Sequence, residues 1–180
     1  MKRVIVVLIT LVLLSLCSGG DLPKQDNADS IAYDRKTPAY ETIEEFGSQV
    51  FEFIKSGKFD KILELTPNFN EFTAIINNSS FSEIKKKETI NKIEYQLKSN
   101  TESLKKSYDL FIENSESAGI DWSNYSIHYI DYRHQKRNKI EDADIYLYIG
   151  YNGVTHKIAL HDCLKTESTW LMGNEIYWKN

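Results

Sequence analysis

The chain has 180 residues, 22 Lys and Arg against 26 Asp and Glu, a net charge of −4 and 41% hydrophobic residues. That length suits one domain with appendages and supplies enough apolar side chains for a sizeable core. The acidic balance excludes a nucleic-acid partner, which needs a clustered basic footprint.

Residues 1–16 read as a signal peptide. Lys2 and Arg3 form a basic start, and Val4 to Leu16 is apolar except for Thr10 and Ser15. A run this short falls below the roughly 20 residues of a membrane span, so export is expected. Leu14-Ser15-Leu16-Cys17 then resembles the lipobox of bacterial lipoproteins, in which the leader is cut before a cysteine that becomes lipidated. The resemblance implies a membrane anchor at Cys17 and a place in the cell envelope. Leu16 departs from it, since Gly or Ala usually precedes the cysteine, and cleavage near Ser18-Gly19-Gly20 with plain secretion is the alternative. Without the leader the balance is 20 basic against 26 acidic residues, a net −6. With Cys17 lipidated, Cys163 is a lone thiol, expected to be buried as a small hydrophobe.

Residues 17–41 form a polar stretch with Pro23 and Pro38 and no periodicity, which reads as a tether. A flexible chain of that length spans roughly 25–30 Å. A single domain is expected over residues 42–180. Thr42 and Glu45 make a capping box, Ile43, Phe46, Val50, Phe53 and Ile54 recur at helical spacing, and Gly57 is the stop. A second short helix is expected from Lys58 to Leu65, closed by Pro67, and then a turn capped by Asn70 and a loop at 77–80. A capping box at Ser80 and Glu83 opens one long helix to Ala118, with Ser99 to Glu102 as its candidate break. Glu-before-Lys pairs such as Glu83 with Lys87 and Glu102 with Lys106 describe its solvated side.

After Gly119 the period changes to two. Tyr125 to His134 reads as a strand, Lys136 to Glu141 as a charged loop, and Trp170 to Trp178 as a last strand. Between them Asn152-Gly153 marks a two-residue hairpin, because both residues tolerate the positive φ of a type I′ turn. That turn opposes residues whose numbers sum to 305. Ile145 faces Leu160, Leu147 faces Ile158, Ile149 faces His156 and Tyr151 faces Val154 on a core side. Tyr146, Tyr148, Thr155 and Lys157 take the other side.

Helices followed by a four-stranded antiparallel meander make an α+β plan, with the helices covering one sheet face. Phe46-Gly47-Ser48-Gln49-Val50-Phe51, the turn Ser56-Gly57-Lys58-Phe59-Asp60-Lys61-Ile62 and the closing Thr169-Trp170-Leu171-Met172 resemble small exported bacterial proteins of NTF2-like or cystatin-like fold. The resemblance implies a curved sheet wrapped on a long helix, often around a cone-shaped pocket. That fold hosts enzymes, binders and scaffolds alike, so function must come from the site.

The residues that tempt a chemical reading are His156, His161, Asp162 and Cys163. In an unbroken strand His156 and Asp162 share the core face and His161 and Cys163 the other, so no zinc set converges, although a bulge at His161 would change this. Nothing marks a base for Cys163 as a nucleophile. No metal and no cofactor are expected. Asp162 with His156 is the candidate pocket lining, since a carboxylate aimed at the core needs a partner or an opening. If the strand bulges or ends at His161, Asp162 faces water instead. Tyr146, Tyr148 and Lys157 are the candidate surface contact, where rings stack on sugars or pack against a protein. The expectation is a non-enzymatic envelope module that binds a small ligand, a glycan or a partner protein; the alternative is an enzyme with a pocket lined by Asp162 and His156.

Overall fold

The computed structural model describes residues 39–179, apart from the Lys179 side chain. The leader, Cys17 and the tether up to residue 38 lie outside the described residues. The domain is α+β, with helices followed by a curled antiparallel sheet, a half-barrel compatible with the NTF2-like or cystatin-like fold.

The first helix, α1 (Ile43–Lys55), starts where Thr42 and Glu45 satisfy each other's backbone amides. Its apolar positions recur every three or four residues and bury Ile43, Phe46, Val50, Phe51 and Ile54. It ends in a Schellman turn: Gly57 takes φ +63°, its N–H donates to Ile54 O at 3.0 Å, and the Lys58 N–H donates to Phe53 O at 2.9 Å. A short α2 (Phe59–Leu63) follows and seats Ile62 and Leu65 in the core.

Four helical boundaries differ from the sequence reading. Asn68, not Asn70, caps α3 (Phe69–Asn78), because the reciprocal box needs Glu71 three residues on. The helix also takes in residues 77 and 78, expected in a loop. Ser82, not Ser80, caps α4 (Glu83–Ile90). The expected long helix is two, broken at Asn91 and Lys92, upstream of Ser99, before α5 (Ile93–Ser117). Burial explains the break. Ile93 is 1% exposed and starts a stripe through Leu104, Tyr108 and Phe111, whereas α4 buries no residue and Ile84 stands 75% exposed. Tertiary packing buries a face of α5, whereas α4 lies against α3 without burying a residue.

After a 3₁₀ turn (Trp122–Asn124) come β1 (Ser126–Arg137), β2 (Ile140–Tyr151) and β3 (Val154–Lys165), paired in chain order. The charged stretch from Lys136 to Glu141 is sheet rather than loop. Lys136 pairs with Glu141, their side chains bond at 2.6 Å, and Asn138 and Lys139 make the turn with φ of +53° and +63°. A lysine in the left-handed region is uncommon, which is why this hairpin lacks the usual signature.

The hairpin at Asn152 and Gly153 has the expected register from Ile145↔Leu160 to Tyr151↔Val154. Ile145, Leu147, Ile149, Ile158 and Leu160 are fully buried against Phe46, Val50, Leu104 and Phe111. Beyond Leu160 the register slips by one. Ala143 pairs with Cys163, so His161 and Asp162 together oppose Asp144 in a β-bulge, and Asp162 takes φ +56°.

The expected last strand is split by the same slip into β4 (Trp170–Leu171), paired beyond the bulge, and β5 (Glu175–Lys179), paired before it. Gly173 crosses between them directly over His161 and Asp162. Main-chain amides of this ribbon donate to the helical side: Met172 N–H to Leu65 O at 2.9 Å, and Ile176 N–H to the Ser107 hydroxyl Oγ at 3.0 Å. A second bulge, at His128 in β1, lays its imidazole over Gly150, where a side chain would collide with the ring.

Candidate functional site

The helices cover the concave face of the sheet and leave the other face open. Alternation decides what stands there, because successive side chains point to opposite faces. Tyr129, Asp131 and Arg133 come from β1, Asp144, Tyr146 and Tyr148 from β2, Lys157, Ala159 and His161 from β3, and Glu175 and Tyr177 from β5.

The rings meet in two groups. Tyr129 and Tyr148 are cross-strand neighbours stacked at 4.2 Å and 13°. Tyr146 and Tyr177 flank Ala159, which is fully buried despite its small size, and both meet the His161 ring edge-on, at 6.4 and 5.4 Å. Lys157 spans the groups, with Nζ 4.7 Å from the Tyr146 ring centre and 5.4 Å from that of Tyr148. The structure therefore places the expected surface trio Tyr146, Tyr148 and Lys157 together and adds Tyr129, Tyr177 and His161 to it.

The bulge places acids beside these rings. His161 Nδ1 lies 2.9 Å from Asp144 Oδ1. Burial pushes the Asp144 carboxyl up, but the His161 hydrogen bond and charge, the Asp162 amide and Arg133 outweigh it and hold it below its ordinary value. Asp144 is thus ionised and accepts from the imidazole. Asp162 goes the other way: burial first, then the charges of Asp144, Glu175 and Asp142, against some relief from His161, push its carboxyl up to about 6. Burial and the adjoining Glu175 carboxylate likewise raise the Tyr177 hydroxyl.

The candidate pocket of His156 and Asp162 does not assemble. Six positions of strand separate them, about 20 Å at 3.3 Å per residue. His156 packs on the core side against Trp178 at 4.6 Å and Tyr125 at 5.7 Å. The bulge turns Asp162 to the open side, among Asp144, His161 and Glu175. It also corrects the face of Cys163, which falls on the core side, fully buried and in no disulfide, its thiol pushed up to about 12 by burial. A thiol held protonated and walled off from His161 is not a nucleophile. Among the described residues no group of His, Cys, Asp and Glu is placed to hold a metal ion, and no Ser or Thr hydroxyl bonds to His161.

His161 was among the residues that tempt a chemical reading, but its pairing with Asp144 escaped, although their numbers also sum to 305, the pairing rule of the Asn152-Gly153 turn. An acid opposite a histidine on the open face was the available signal. Tyr129 and Tyr177 lie on strands whose register the sequence does not set.

The bulge gives a direct expectation for pH. A carboxyl whose pKa is higher in the folded chain than in the unfolded one favours folding when protonated. That stability is fully present below pH 4 and is lost as the pH rises through 6. Asp162→Asn keeps the side-chain size and a residue that tolerates positive φ, and removes the charge. The variant should gain about 1–2 kcal/mol at pH 7.5, the shift of about two units being discounted for solvent access, and nothing at pH 4. Thermal melts at both values check this, and equal gains at both would deny the charge effect.

No protein family, curated protein or solved structure matches this chain.

Proposed function

We propose that the protein is a non-enzymatic binding module of the cell envelope, anchored through lipid on Cys17, and that the open sheet face is its contact surface. The observation that carries this is the tyrosine row itself. Tyr129, Tyr146, Tyr148 and Tyr177 converge on one face, with Tyr129 54% and Tyr177 37% exposed. Large amphipathic rings at an unpaired sheet face match the composition of recognition surfaces. The opposite, concave face is filled by Phe46, Val50, Leu104 and Phe111, so what meets a ligand is surface rather than pocket. Among the described residues no helix is long and apolar enough to cross a membrane.

Photo-crosslinking on the full chain in its native cells tests the reading. A benzoylphenylalanine at position 129 should give discrete adducts, and one at position 102 on the solvent side of α5 should not. Equal labelling from both positions would overturn the assignment of the face. Mass spectrometry of the same material should show an acylated N-terminal cysteine at position 17; an unmodified chain beginning near Gly20 would remove the anchor.

A further inference from the structure

Resting on the reading of the open face as a contact surface, we infer that it takes a cationic segment, a Lys- or Arg-bearing stretch of a partner protein. Three observations converge. First, the face already binds a cation: the chain's own Lys157 ammonium lies over the rings of Tyr146 and Tyr148 at 4.7 and 5.4 Å. Ring faces carry the negative end of the aromatic quadrupole, and an ammonium or guanidinium is the group they attract.

Second, the surroundings are acidic. Asp131 faces Tyr146 across the β1–β2 pair, Glu175 faces His161 across the β3–β5 pair, and Asp144 and Asp162 meet at the bulge, with Asp142 near. Arg133 answers Asp144, Arg137 answers Asp142, and Lys157 is the cation over the rings. Carboxylates this close repel one another, and an incoming cation relieves that repulsion while a second anion adds to it.

Third, the free ring surface is limited. Tyr129 and Tyr148 cover one another at 4.2 Å, and Tyr146 and Tyr177 are turned onto Ala159 and His161. A sugar needs an open ring face to stack on, and the ammonium of Lys157 stands over two of them. An arriving lysine or arginine meets no such obstacle, because it replaces Lys157 on the rings in kind and leaves that side chain free to swing into water. Lys157 is in this account an internal stand-in for the partner.

The stand-in supplies a discriminating experiment. Titration calorimetry of the full chain with hexalysine, and with hexaglutamate and a neutral oligosaccharide as controls, should give binding to hexalysine alone. Lys157→Ala should tighten it several-fold by vacating the rings. Tyr146→Leu should weaken it about tenfold and Glu175→Gln several-fold, in variants whose melting temperatures match the parent. Absence of hexalysine binding to both the parent and Lys157→Ala would overturn the inference. Binding of hexaglutamate or the sugar that Lys157→Ala weakens would overturn it too, while leaving the open face as the contact surface. The crosslinking contrast between positions 129 and 102 decides that broader reading independently.

Discussion

Leu147→Asp should leave no folded protein at 25 °C, whereas Tyr148→Asp should fold and melt within a few degrees of the parent. The two residues are adjacent on β2, so the contrast isolates the face. Leu147 is fully buried between Ile130 of β1 and Ile158 of β3 and reaches to Gly47 of α1, where an added Cβ would stand 2.8 Å from its Cδ2. A carboxylate there has no partner, and its burial costs several kcal/mol on top of the lost apolar contacts. That sum is comparable to the whole stability of a domain this size, about 5–15 kcal/mol. Tyr148 instead stands on the open face between Tyr129 and Lys157. Its replacement forfeits a stacked pair worth about 1 kcal/mol and sets an acid beside a lysine. Circular dichroism of both variants is sufficient. Equal loss in the two would refute the assignment of faces.

Among the described glycines, Gly173→Ala should be the most damaging substitution, at about 3 kcal/mol, near the upper end of what overpacking costs. The added Cβ would fall 1.8 Å from the carbonyl oxygen of His161 and 2.6 Å from the carbonyl carbon of Asp162. Both are main-chain atoms of the bulge, and neither can rotate aside. The glycine also donates its N–H to the Cys163 sulfur, so pushing it away removes a bond from a buried thiol. A fall in melting temperature of roughly 10 °C is expected, together with a shifted His161 imidazole resonance, since the Asp144 contact depends on the bulge. Gly153→Ala, at the tip of the second hairpin, has nothing within 4 Å and tests backbone strain alone. If Gly173→Ala melts no lower than Gly153→Ala, the crossing is not close-packed.

The two hairpins show how far a sequence can be read. Asn152-Gly153 names its own turn, and the alternation on both sides then dictates every pair from Ile145 to Leu160. Asn138-Lys139 makes the same turn with a residue that rarely adopts it, and so Lys136 to Glu141 passed for a loop. The helices follow the same logic: Thr42 and Glu45 are a complete local signal, but the joint at Asn91 is decided by what Ile93 packs against. The tyrosine face was half legible. Tyr146, Tyr148 and Lys157 follow from the turn. The neighbours that complete the face follow from pairing between distant strands, and Asp162 follows from an irregularity that no local pattern announces.

One feature of β1 bears on the behaviour of the whole molecule. This strand lies at the end of the sheet order with an unpaired side among the described residues. A long unpaired strand is a template on which another molecule can extend the sheet. Here the template is spoiled twice: the bulge at His128 breaks its regular spacing, and Arg133, Lys136 and Arg137 charge its distal half. A tyrosine face beside a defended rim is thus left accessible without an edge on which a second copy of the chain could extend the sheet.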